Sequence, residues 1–142
     1  MSSPDLKAFS LLAEFGEEDR AALGELLEEQ NASKGVALFR EGSEAEGLVL
    51  IVSGEVRLES QRRVEQEILG PGAALGALSL VVVGPREATA IAQSACTFLL
   101  LPRTSFRRLA EDYPRTACRL AEAIVSEVAS TLRDGLESIA SK

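Results

Sequence analysis

The stretch LFREGSEAEGLVLIVSGEVRL, residues 38–58, decides the fold. Its apolar runs are short, contain β-branched residues and stop at Gly42, Gly47 and Gly54. Working outward, segments 36–40, 48–52, 56–59 and 64–69 read as strands, with Gly70-Pro71-Gly72 closing the last of them. Parallel strands need long crossovers, which turns this close together cannot provide, so the pattern predicts an antiparallel sandwich or barrel. Segments 87–92 and 97–101 add two more strands.

Helical spacing brackets this β region. Over residues 17–30, Ala21, Ala22, Leu23, Leu26 and Leu27 recur among acidic residues, which predicts an amphipathic helix with an acid-rich first turn suited to the positive end of its dipole. Leu6, Phe9, Leu11 and Leu12 suggest a shorter helix before it. After the strands, Thr104 is the expected N-cap of a helix over 106–113, and Pro114 is placed to open a final one. In that final helix Ala117, Ala121, Ile124, Val125, Val128, Leu132, Leu136 and Ile139 form an apolar stripe about seven turns long. One small barrel does not easily cover such a stripe. Its distal half is therefore expected to meet a partner, most simply a second copy through Ile124, Val128 and Leu132; a helix folded back on its own barrel is the alternative. The expected division is helices over about 5–30, β-roll over about 34–102 and C-terminal helices over about 104–140, within a single domain spanning 1–142.

Composition narrows the function. The 142 residues carry a net charge of -7, which argues against a nucleic-acid binder, and Arg62, Arg63, Arg103, Arg107, Arg108, Arg115 and Arg119 are scattered between acidic residues as on a solvated surface. The N-terminus lacks the features of a secretion signal, and no apolar run approaches the ~20 residues needed to span a bilayer, so a soluble cytoplasmic protein is expected. Cys96 and Cys118 are read as small buried hydrophobes. The absence of histidine excludes Ser-His-Asp and Cys-His catalysis and the imidazole ligands of most catalytic zinc and non-haem iron sites. Ser79 has no histidine or nearby lysine to activate it, and no carboxylate pair stands in a context that would drive its pKa values apart, so an enzyme is not expected. The residue usage, rich in Ala, Leu, Gly, Glu and Arg, suggests a bacterial genome rich in G and C.

With helices, a Gly-punctuated roll and C-terminal helices in this order, residues 38–58 resemble the front half of the cyclic nucleotide-binding domain found in catabolite activators, kinase regulatory subunits and gated channels. The matching blocks are Phe39-Arg40-Glu41-Gly42 and Ser53-Gly54-Glu55-Val56. Around 20 residues on, LGALSLVVVGPREATAIA, residues 75–92, resembles that family's phosphate-binding cassette, usually Phe-Gly-Glu-apolar-Ala-Leu, a loop, Pro-Arg-Ala/Ser-Ala-Thr and an apolar strand. The resemblance covers about residues 10–135. It implies an α+β fold, a jelly-roll-like antiparallel β-roll (a double-stranded β-helix) flanked by N-terminal helices and a long C-terminal helix. It also implies a ligand site at Gly76, Ala77, Leu78, Pro85, Arg86, Glu87 and Thr89, with cyclic AMP or cyclic GMP as the candidate ligand and no metal.

The chemistry implied for the cassette is anion binding, with a short helix near Gly76 aiming N–H groups at a phosphate and the planar fork of Arg86 matching its oxygens. Two positions depart from the family pattern. The family's glutamate that accepts hydrogen bonds from the ribose is Ala77 here; losing about 1.5–3 kcal/mol of such bonding weakens binding by about one to two powers of ten. The residue after the arginine is Glu87, whose charge opposes an anion if it faces the pocket, or which pairs with Arg86 if it does not. Tyr113, Thr116 and Arg119 are the candidates for contacting the base from the C-terminal helices.

Three readings follow. The first is a non-catalytic regulatory module with weak or lost nucleotide binding that works through protein partners or itself. The second is a genuine cyclic nucleotide sensor that signals by movement of its C-terminal helix. The third, a DNA-binding factor, lacks a helix-turn-helix after the long helix, so no direct nucleic-acid contact and no membrane partner are expected.

Overall fold

The computed structural model describes residues 6–61, 64–80 and 84–140. Arg62, Arg63, residues 81–83 and the side chain of Ile139 lie outside the described residues. Two antiparallel four-stranded sheets face each other, in the orders β1-β8-β3-β6 and β2-β7-β4-β5. The strands are β1 (Glu28–Ala32), β2 (Ala37–Phe39), β3 (Gly47–Ser53), β4 (Val56–Glu59), β5 (Glu67–Leu69), β6 (Ala74–Leu75), β7 (Thr89–Ala92) and β8 (Cys96–Pro102). Helices α1 (Glu17–Gly24), α2 (Arg103–Asp112) and α3 (Pro114–Ala140) complete the α+β roll, with short 3-10 turns at Leu6–Ala8, Ser10–Leu12 and Ala77–Leu80.

The continuous apolar run of β3 has a physical reason. Side chains alternate across a strand, and both faces of this one are covered. Leu48 and Leu50 join Leu99 and Leu101 of β8 in a core shared with the helices, whereas Val49 and Ile51 join Phe98 and Val56 in the core between the sheets. The helix-side core takes Leu12 and Leu23 from the N-terminal segments, Leu109 from α2, and Ala117, Leu120 and Ile124 from α3.

Several boundaries differ from expectation. The first helix ends at Gly24, and Glu28–Ala32 is an edge strand paired with β8 from Glu28↔Leu100 to Ala32↔Cys96. Its first four side chains are exposed, so backbone pairing rather than any apolar pattern makes it a strand. Segment 64–69 is a strand only over Glu67–Leu69, segment 87–92 only from Thr89, and the two-residue β6 has no sequence signal. Thr104 is not the cap of α2. Pro102 holds that position with no side-chain bond, and the amide of Arg103 is satisfied by the carbonyl of Glu46, 2.9 Å away.

Helix α3 divides in two. Ile124 is fully buried against its own chain, which removes it from the expected seam with a partner. Beyond it the stripe turns to solvent, with Val125, Val128, Leu132 and Leu136 exposed. Cys96 is buried as expected, but Cys118 is exposed on the outer face of α3. The arginines are likewise not all solvated. Arg119 pairs with the buried Asp19, and Arg103 is half-buried and bonded to carbonyls. Among the described residues, no helix is long and apolar enough to cross a membrane.

Candidate phosphate site

Arg86 is brought into the roll by a pair of backbone bonds. Its amide donates to the Ser43 carbonyl at 2.7 Å, and its carbonyl accepts from Gly42 at 2.8 Å. Pro85 bridges Glu44 on the same β2–β3 loop, and Ala45 donates to Gly84. So anchored, the side chain folds inward and is only 6% exposed. Its guanidinium carbon stands 4.1 Å from the centroid of the Phe39 ring, a cation–π arrangement.

The other wall is Gly76, with φ +69. A Cβ there would lie 2.1 Å from Arg86 Nη1, so only glycine admits both this backbone conformation and the guanidinium. Nε and Nη1 of Arg86 are buried and have no hydrogen-bond partner among the described residues. Burial pushes the guanidinium pKa down; the carboxylate of Glu46 opposes that shift, and the like charge of Arg103 adds to it.

The remaining cassette residues play different parts. Ala77–Leu80 is one 3-10 turn, too short to sum peptide dipoles into a helix-end charge, so the positive potential of the site comes from Arg86 and the nearby Arg103. The Ser79 amide and hydroxyl both donate to the Gly76 carbonyl, at 3.0 and 2.6 Å, which fixes the turn. Ala77 packs against the helix-side core, and Leu78 is exposed. The Thr89 hydroxyl accepts the Glu41 amide at 2.9 Å, which ties the start of β7 to the β2–β3 loop. Pro85 and Glu87 are exposed, and among the described residues no ion pair joins Glu87 to Arg86.

Among the described residues, the three expected base contacts take partners outside the cassette. Thr116 donates to Asp19 Oδ1 at 2.5 Å, and Arg119 Nη1 bonds Asp19 Oδ2. Tyr113 lines a cleft with Ala22, Glu25, Leu26, Arg108 and Leu109, to which no described cassette residue contributes. Asp19 is itself buried, its pKa lowered by the Thr116 hydrogen bond, against an opposing effect of burial, and by Arg119. No sequence signal pointed to Phe39, Glu46, Asp19 or Arg103 as partners in these arrangements. Phe39 was visible as the apolar residue of a family-like strand end and Arg103 as a surface cation, neither as a part of the site.

A roll closed around an arginine-bearing cassette defines a class, and comparison with known proteins agrees. Residues 29–113 match the cyclic nucleotide-binding domain family, and the chain belongs to it. That family is a regulatory, ligand-binding one. The chain is 35% identical over 92 residues to a cyclic AMP receptor protein of Thermus thermophilus, covering 62% of this chain and 43% of that one. It is 28% identical over 113 residues to lysophospholipase nte1 of Neurospora crassa, covering 76% of this chain and 7% of that one. The chain therefore spans less than half the length of these curated relatives. Among solved structures, the N-terminal domain of a transcriptional regulator from Streptomyces coelicolor A3(2) superposes with a TM-score of 0.79 at 27% identity, covering 89% of this chain and 94% of that one.

Proposed function

We propose that the chain is a non-catalytic regulatory module that retains weak binding of a cyclic nucleotide, held by its phosphate on Arg86, and acts through a protein partner. The observation that carries this reading is the buried guanidinium whose Nε and Nη1 have no hydrogen-bond partner among the described residues. An unpaired buried donor costs about 1–3 kcal/mol, and phosphate oxygens match the guanidinium fork. Glu87, the internal alternative, is exposed and among the described residues forms no ion pair with Arg86. Ala77 in place of the family's ribose-binding glutamate is the reason for expecting weak affinity. A thermal melt tests this: a ligand at 100 times its Kd stabilises by about 2.7 kcal/mol, so millimolar cyclic AMP or cyclic GMP should raise the melting temperature of the chain but not of Arg86→Ala.

The partner proposed for α3 is a second copy of the chain. The exposed Val125, Val128, Leu132 and Leu136 recur at three- and four-residue spacing, as a helix-pairing seam does. Light scattering at tens of micromolar should give a dimer mass, and Leu132→Glu should give a folded monomer whose melting temperature no longer depends on protein concentration. A monomer mass for the unaltered chain removes this part of the proposal.

A further inference from the structure

Arg103 joins three segments that are far apart in sequence. Its Nε donates to the Ser79 carbonyl of the cassette turn at 2.8 Å, and its Nη2 donates to the Ala45 carbonyl of the β2–β3 loop at 3.2 Å. Its own amide, the first of α2, donates to the Glu46 carbonyl. These are the two segments that place Arg86. The loop holds the Arg86 backbone through Ser43 and Gly42, and the turn holds Gly76 against the Arg86 guanidinium through Ser79.

We infer that Arg103 is the positioning residue of the phosphate site: it holds the cassette turn and the β2–β3 loop in register around Arg86 and ties both to the start of α2. Only a planar fork with donors at two separate nitrogens reaches both carbonyls at once, and an ammonium offers a single point of donation. The positioning role does not depend on which anion binds. Its consequence for affinity rests on the phosphate-binding reading proposed above.

The experiment separates the two. Amide exchange is measured without ligand on the unaltered chain, Arg103→Gln and Arg103→Lys, and calorimetry with cyclic AMP and cyclic GMP follows on the same samples. Both variants are expected to exchange about tenfold faster or more at residues 43–47 and 76–80 together, with β4, β5 and β7 at unaltered rates. Unchanged exchange in either segment, a rise spread evenly over the roll, or Arg103→Lys behaving as the unaltered chain overturns the inference. In the calorimeter Arg103→Gln should bind about tenfold more weakly while remaining folded, and equal affinity overturns it. If the unaltered chain binds neither nucleotide, the binding proposal fails, and the exchange rates alone decide the role of Arg103.

Discussion

The Arg86 guanidinium lies over the Phe39 ring, 4.1 Å from its centroid, while its Nε and Nη1 face no acceptor among the described residues. An aromatic face partly offsets the burial of a cation but cannot replace hydrogen-bond acceptors. Without ligand the site is thus held at a cost to stability. Replacing Arg86 with methionine, which keeps an unbranched side chain and removes the charge, is expected to raise the stability of the ligand-free chain by about 1 kcal/mol. Chemical denaturation of both proteins checks this, and a destabilised variant would mean that acceptors satisfy the guanidinium in solution.

Gly76 and Gly54 should tolerate substitution poorly, for different reasons. At Gly76, alanine meets Arg86 Nη1 and a left-handed backbone, so Gly76→Ala is expected to displace the guanidinium and abolish ligand binding while costing about 1–3 kcal/mol of stability. At Gly54, in the turn between β3 and β4 with φ +85, a Cβ would lie 2.4 Å from the Ala95 carbonyl oxygen and 2.9 Å from Cys96 Cα. Both contacts are backbone and cannot move aside. Gly54→Val should lower the melting temperature by well over ten degrees, a loss of about 3 kcal/mol or more, and an unchanged melt would contradict the turn assignment.

The bonds of Thr116 and Arg119 to Asp19 cross 97 and 100 residues and fasten the start of α3 to α1. Because the folded pKa of Asp19 is depressed, its contribution is fully present above the unfolded value of about 3.9 and is lost as pH falls through the folded value. Asp19→Ala is expected to cost about 1–3 kcal/mol at pH 7. The difference between variant and unaltered chain should shrink in denaturant titrations taken below about pH 4. A difference that persists undiminished at the lowest pH would rule out the charge as its source.

The two thiols should separate cleanly. Cys96 is buried, donates to the Glu55 and Ser94 carbonyls, and has its pKa raised by burial, whereas Cys118 is exposed. A thiol reagent is expected to modify one cysteine rapidly in the native chain and the second only on unfolding. Two rapid modifications would contradict the packing of β8.

The roll was legible because β3 and β8 are apolar on both faces and end at glycines or proline, a local signal that needs no tertiary knowledge. Strand β1 was not, because its first four side chains are exposed and its conformation is chosen by pairing with β8. Periodicity likewise found the apolar stripe of α3 but carries no information on what covers each part of it. Ile124 therefore reads the same as Val128 in sequence, although one is sealed in the core and the other faces solvent. At the site, the spacing of Gly76 and Arg86 was readable, but whether Glu87 satisfies Arg86 depends on which way a bend points, and that is set by the bonds to Ser43 and Gly42. The Asp19 and Arg103 connections join residues too distant in sequence to leave any pattern.

The most direct test of the phosphate site is calorimetric titration of cyclic AMP and cyclic GMP into the chain, with Arg86→Ala as the control. Saturable binding in the range of about 10 µM to 1 mM that disappears in Arg86→Ala is the predicted result, the weakness reflecting Ala77. No heat at millimolar ligand, or binding that survives the loss of Arg86, would contradict the assignment of this buried arginine as the phosphate ligand.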